Sequence, residues 1–354
     1  MSQKEKRTIK ILLIIVASAA FIWFLGNLLL DFLSYKKSNI VMNENIELKL
    51  NDGELHFIYS HPFDDGSYYL KTKDGLNFEK VKFDLNDISY LYNDFDNNVY
   101  LLSQHAFSYY KITKKGDDIV ENKIPFPLTF MFKDQNLEVF GINKDIQSNT
   151  LDVRDLKYHK KYQIEYPTYL SLMNYDDKYI YLSNDVIDQE KSVIRIISRE
   201  NGEEVKTIEI SSTATDLVFY KDKVVAVTDH FLHFIDKNTF DVMDVSYPLS
   251  SAVGEGDKAI SINNKLYVSY NNKGKVSILT LDEKYKWENT INLDINYGSG
   301  KFIDHQFFVL EQYELSEDAG GKLSVYDITE DKVTSIFLPK QDRKVQDFVL
   351  TKNN

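Results

Sequence analysis

The 354-residue chain contains no cysteine. That excludes a disulfide framework and a lipid-modified cysteine as the membrane tether, and a domain of some 310 residues buries enough apolar surface to manage without bridges. Basic residues are scarce relative to acidic ones. Of 42 Lys and Arg and 54 Asp and Glu, 6 and 2 precede Asn39, which leaves 36 against 52 in the remainder, a net of -16. So acidic a body offers no basic face to phosphates, which excludes nucleic acid as a partner. Asn is frequent, yet no Asn stands in an Asn-x-Ser/Thr sequon, which favours a bacterial cell envelope over a eukaryotic surface.

Long uncharged runs are also absent, with one exception. Ile11 to Leu30 are 20 residues without a charge. At about 1.5 Å per residue such a helix is roughly 30 Å long, the thickness of a hydrocarbon core. Ala17-Ser18-Ala19 resembles a signal-peptidase site, but cleavage there would strand "FIWFLGNLLL" on the mature end, so a retained anchor is the expectation. Lys4, Lys6, Arg7 and Lys10 precede the run and only Lys36 and Lys37 follow closely, so the leader should stay in the cytoplasm and the rest lie outside. The expected division is a basic leader (1–10), a transmembrane signal-anchor helix (11–33), a juxtamembrane linker (34–44) and an extracytoplasmic domain (45–354).

What fills that domain is short alternating runs broken by Asx-rich turns. "YKDKVVAVTDHFLHFIDKNTFDVMDVSYP" (220–248) shows the pattern, and its first break recurs at Asn97, Asp134, Asp177, Asp222, Asn264 and His305, 37 to 45 residues apart, with "LNDGELHFI" (50–58) as a seventh copy. A second turn follows in each copy, from "TKDGLNFEKV" to "DITEDKVTSIF". Asx and Gly accept φ > 0 and cap their own backbone, while Val, Ile, Tyr and Phe favour the flanking pleat. A unit of about 40 residues with four short strands is a propeller blade. The pattern predicts an all-β, seven-bladed propeller, with six or eight blades as the alternatives. "VQDFVLTKNN" (345–354) reads as the first strand of a further copy that closes the ring through Phe348, Val349 and Leu350, and "NIELKL" (45–50) competes for that place.

"RIISRENGEEVKTIEI" (195–210) and "HFIDKNTFDVMDVSYP" (233–248) resemble the strand-turn-strand ends of quinoprotein-like and YVTN-type propeller repeats. The resemblance implies a fold and no particular activity. The Gly-His and Trp-Asp pairs of WD40 repeats and the double glycine of kelch repeats are missing, and "TKDGLNF" (72–78) resembles a single Asp-box turn.

Residues with chemistry are few. Asp94, Asp96 and Asn98 have the alternate spacing of a calcium loop without its glycine or distal glutamate, and read as a solvated hairpin. His230 and His233 lie three apart on a strand pattern, which points them to opposite faces. Gly298, Ser299 and Gly300 match neither a nucleophile elbow nor a phosphate loop and read as a loop. Asp304 with His305 reads as turn chemistry, Asp64 with Asp65 and Glu203 with Glu204 as surface acids, and most of the 24 Tyr and 22 Phe as core. No catalytic, cofactor or metal residue is assigned. The expected role is a membrane-anchored, non-catalytic binding or scaffold module for a protein or cell-envelope component. The alternative is an enzyme, a quinone-dependent dehydrogenase or a carbohydrate lyase or hydrolase, with its site in the central channel.

Overall fold

The computed structural model describes residues 36–40, 42–44, 48, 50 and 53–352, apart from 65, 104, 114, 115, 117, 146, 190 and 249–253. The leader and the apolar stretch of 11–33, with Trp23, lie outside the described residues, and no helix among the latter is long and apolar enough to cross a membrane.

Seven antiparallel sheets follow one another along the chain. Blades 2 to 7 are continuous segments, 90–123, 128–166, 169–210, 216–246, 255–296 and 299–338, each of four strands ordered from the innermost outward. The stretch 220–248 supplies the second, third and outermost strands of blade 5, Lys223–Val227, Phe231–Asp236 and Val242–Ser246. All six turn anchors from Asn97 to His305 fall between the innermost and second strands of their blades, and the second set of turns falls between the third and outermost. Both sets share one face of the disc, here the lower face. The connections leaving the second and outermost strands form the upper face.

Blade 1 is composite. Its innermost strand, Lys344–Lys352, comes from the C-terminus and pairs antiparallel with Gly53–Ser60, followed by Ser67–Thr72 and Glu79–Phe83. Leu55 lies opposite Leu350, His56 opposite Val349 and Phe57 opposite Phe348. The competing segment takes another place: Leu48 donates its N–H to Asp74 O (3.0 Å), and Leu48 and Leu50 join the core between blades 7 and 1. Part of the stretch expected as a linker also carries backbone pairing. Lys36–Ile40 runs parallel to the outermost strand of blade 6, and Met42–Glu44 parallel to that of blade 7.

Seven apolar clusters fill the seven interfaces between neighbouring blades. Tyr59, Tyr181, Tyr220, Phe234, Phe308 and Phe348 are among the largest fully buried side chains. The sheets splay outward, and large rings fill the widening gap.

The turns are held by their own carboxylates. Asp94 accepts from the N–H groups of Asp96 (3.0 Å) and Asn98 (2.9 Å) and from the Tyr100 hydroxyl (2.9 Å), so the spacing that resembles a calcium loop is spent as an Asx turn. Asp74 does the same in "TKDGLNF", where Gly75 supplies φ 75°, and the N–H groups of Asn77 and Leu76 hold its carboxyl well below the usual range. One reading needs correction: Ser299 and Gly300 belong to the innermost strand of blade 7, Ser299–Ile303, not to a loop. Gly300 is required there because a Cβ would stand 2.6 Å from the Phe307 ring of the next strand.

Candidate functional site: the central channel

The innermost strands enclose a channel of about 570 Å³. Tyr90, Tyr92, Phe130, Phe302, Val349 and Leu350 give its wall an apolar character. Four charged side chains reach it, and each is held by a neighbouring blade. Lys301 of blade 7 donates to Asp347 Oδ1 and to Phe348 O in blade 1, both at 2.6 Å. Asp347 Oδ2 accepts the Leu91 N–H of blade 2 at 3.0 Å. Asp216 of blade 5 accepts the N–H of Ala259 in blade 6 through Oδ2 and that of Leu217 through Oδ1, both at 2.9 Å. Lys258 of blade 6 donates to Thr215 O at 2.5 Å. Burial pushes the Asp216 carboxyl up, against the pull of Lys258 and the two N–H donors.

Amides continue the stitching. Asn143 exchanges two hydrogen bonds with Leu170 across blades 3 and 4 (3.1 Å each), and Asn174 donates to Leu217 O across blades 4 and 5 (2.8 Å). Such an arrangement spends at least one hydrogen bond of each of the four charged groups on a neighbouring blade. It suits a tube whose two cations and two carboxylates balance and whose polar groups lock the ring.

The structure separates the candidates read from sequence. His230 stands exposed on the upper face beside Asp229 (3.5 Å), whereas His233 is buried with its Nδ1 2.7 Å from Asp244. His305 lies 3.3 Å from Asp327 within its own blade, and Asp304 pairs with Lys352 of the closing strand. Asp64 approaches Arg343 at 3.8 Å, Glu203 binds Asn201 at 2.8 Å, and Glu204 pairs with Arg195 at 2.7 Å. Among the described residues no three His, Asp or Glu converge as a metal cage.

Two buried constellations have no sequence signature. Asp155 and Arg199, both fully buried, bond at 2.7 Å between blades 3 and 4, and Arg199 also donates to Asp176 O (2.6 Å) and faces the Tyr175 ring. In blade 1 the Thr351 hydroxyl donates to Glu54 O (3.4 Å), so it accepts from His56 Nε2 (2.7 Å) and leaves Nδ1 to accept from Tyr69 (2.5 Å). This relay ties the C-terminal strand to the second and third strands. It borders a second, polar cleft of about 290 Å³ that Glu54, Lys71 and Asp96 also line.

Burial, helped by Lys71, pushes the His56 imidazole from 6.5 down to about 3. The folded state therefore keeps His56 neutral while the unfolded chain takes up a proton below pH 6.5. The stabilisation is complete above that pH and is lost as pH falls toward 3. A shift of that size removes about 2 kcal/mol between pH 7.5 and pH 5. Denaturant titration at those two pH values should show this loss, and His56→Gln should abolish that share of it. An equal slope in the variant would place the titrating group elsewhere.

No family model matches the chain. The "Uncharacterized protein YeeG" of Bacillus subtilis (strain 168) is 26% identical over 354 residues, 99% of either chain. Among solved structures, a putative 6-phosphogluconolactonase from Bacteroides uniformis superposes with a TM-score of 0.56 at 10% identity, over 87% of this chain and 100% of that one. The dihydro-heme d1 dehydrogenase NirN superposes with a TM-score of 0.54 at 13% identity, over 86% of this chain and 74% of that one. At such identities the likeness concerns fold alone, and the chain is a seven-bladed β-propeller with a fold-level resemblance to the quinoprotein-like and YVTN-type propellers.

Proposed function

We propose that the protein is a membrane-tethered, extracytoplasmic propeller that binds a protein or cell-envelope component without catalysing a reaction on it. The observation that carries this reading is the state of the channel. Lys258, Lys301, Asp216 and Asp347 are all consumed in holding blade to blade, so the part of the fold where propeller enzymes gather reactive groups serves here as the lock of the ring. Function then falls to the connections on the faces, which a rigid scaffold presents to a partner.

The tether is supported by the uncharged run from Ile11 to Leu30 and the basic leader. Its side of the disc is supported by Lys36, which pairs with Asn289 near the start of the outermost strand of blade 6, on the lower face. A segment arriving there from a membrane turns the lower face toward the bilayer and leaves the upper face toward the exterior.

Protease added to intact protoplasts should remove the propeller and leave a membrane-embedded N-terminal fragment. Full protection of the domain would reject the orientation, and a soluble product beginning at Ala20 would reject the anchor.

A further inference from the structure

The upper face carries three phenyl rings on neighbouring connections. Phe63, in the hairpin 61–66 of blade 1, is 88% exposed, Phe107 of blade 2 is 58% exposed, and Phe126, between blades 2 and 3, is 37% exposed. Exposed rings on loose loops would mean little, but these loops are fixed. Asp87 (φ 54°), on the connection from blade 1 to blade 2, donates its N–H to His61 O at 3.1 Å. Its carboxylate accepts from the Ser103 hydroxyl at 2.7 Å and meets His105 Nδ1 at 2.8 Å. Ser103 Oγ in turn accepts the N–H groups of His105 and Ala106, both at 3.0 Å. Phe107 lies 6.5 Å from Phe126, whose backbone is confined by Pro125 and Pro127, and the His61 ring meets Phe63 edge-on at 5.9 Å. A bonded chain therefore runs from Phe63 to Phe126 across three blades. Rigid, exposed aromatic side chains on adjacent loops lose little entropy on contact and act as interface anchors.

The charge around the rings decides what can sit on them. On the connections of blades 7, 1 and 2, Asp64, Asp84, Glu314, Glu317, Asp318 and Asp342 outnumber Lys340 and Arg343, and Lys144 of blade 3 stands 5.5 Å from the Phe126 ring. On the lower face Asp94, Asp74 and Asp236 are spent on turn N–H groups, while Asp177 and Asp222 stay exposed beside Lys157 and Lys223. On the upper face Asp64 and Glu314 keep half or more of their side chains in solvent while meeting Arg343 at 3.8 Å and Lys344 at 2.7 Å. Anionic lipid is repelled by this field, and so is a second copy of a chain with 52 acidic against 36 basic residues beyond Asn39.

We infer that the arc from Phe63 to Phe126 docks a cationic segment of a partner polypeptide, whose apolar side chains lie on the three rings and whose Lys and Arg meet the surrounding carboxylates. The inference rests on the binding role proposed above and specifies its face and its ligand chemistry. It faces away from the side at which Lys36 arrives, where a partner anchored elsewhere in the envelope has access.

The test is site-specific photocrosslinking of the full chain in its own membranes, with p-benzoylphenylalanine replacing Phe63, Phe107 or, on the lower face, Phe95, which is about as exposed as Phe107. Positions 63 and 107 should yield at least fivefold more adduct than position 95. The adduct should map to a polypeptide segment of net positive charge, and the yield should fall severalfold with added salt or with Asp64→Asn combined with Glu317→Gln. Adducts to lipid, to a second copy or to an acidic segment would overturn the inference. Adducts from position 95 alone would overturn it while leaving the binding role intact, and an absence of adducts from all three positions would remove both.

Discussion

Deleting Val345 to Asn354 should leave a chain that no longer unfolds cooperatively and that aggregates when extracted in detergent. The deleted segment is the innermost strand of blade 1, paired along Gly53–Ser60. Val345 and Phe348 are fully buried and Val349 and Leu350 nearly so. Four such side chains at about 1.5 to 3 kcal/mol each come to roughly 6 to 12 kcal/mol, against a domain stability of about 5 to 15 kcal/mol. The loss also frees polar groups that were built to meet this strand: Lys301 loses Asp347, Leu91 N–H loses the same carboxylate, and His56 loses Thr351. The inner edge of Gly53–Ser60 is then left unpaired, which invites intermolecular pairing. Removing only Lys352 to Asn354 should cost about 1 kcal/mol or less, since exposed ion pairs such as Lys352 with Asp304 contribute little. Melting followed by circular dichroism separates the cases, and an unchanged transition in the longer deletion would show the tail to be peripheral.

Asp155→Ala should be the most damaging single substitution, at about 3 to 5 kcal/mol. It strands the Arg199 guanidinium between blades 3 and 4, with both partners fully buried and one terminal nitrogen, Nη2, already without a hydrogen bond. Asp155 also accepts the Tyr158 N–H of its own turn at 3.0 Å, so that turn loosens at the same time. Arg199→Met in the same chain should recover most of the loss, because an apolar side chain of similar length lies comfortably against the Tyr175 ring. Denaturant midpoints of the single and double variants measure this. A single variant within 1 kcal/mol of the parent would mean that water reaches the pair.

The parts of this fold that sequence discloses are those built from neighbours along the chain. Asp134, Asp176 and Asp236 each accept N–H groups two and three residues ahead, so their turns appear as Asx-rich breaks at a readable period. The same locality explains why Asp94, Asp96 and Asn98 resemble an ion site: turn capping and calcium binding draw on the same residue types. What sequence conceals are the partnerships between blades. Arg199 occupies the position held by Leu156, Lys237 and Ile328 in other blades, each donating its N–H to the neighbouring lower turn, and nothing local distinguishes it as the cation that reaches Asp155. His56 meets Thr351 across 295 residues, and the channel pairs Lys301 with Asp347 across 46, so both depend on the order in which strands close the ring. The rim strands Lys36–Ile40 and Met42–Glu44 add parallel to outermost strands that no alternation in "KKSNI" or "MNE" announces. The aromatic arc escaped for a simpler reason: Phe63, Phe107 and Phe126 have the same composition as core phenylalanines, and only the closed disc shows them outside.

One comparison measures the division between a structural channel and a working face. Full-length protein carrying Lys258→Gln and Lys301→Gln loses both channel cations while keeping side chains that can still donate to Thr215 O and Phe348 O. Recovery of the polypeptide crosslinked through position 63 should remain within about twofold of the parent in this variant and fall at least tenfold when Phe107→Ser and Phe126→Ser are introduced instead. Loss of the partner from the channel variant, with retention by the face variant, would contradict the account and return the active region to the centre of the ring.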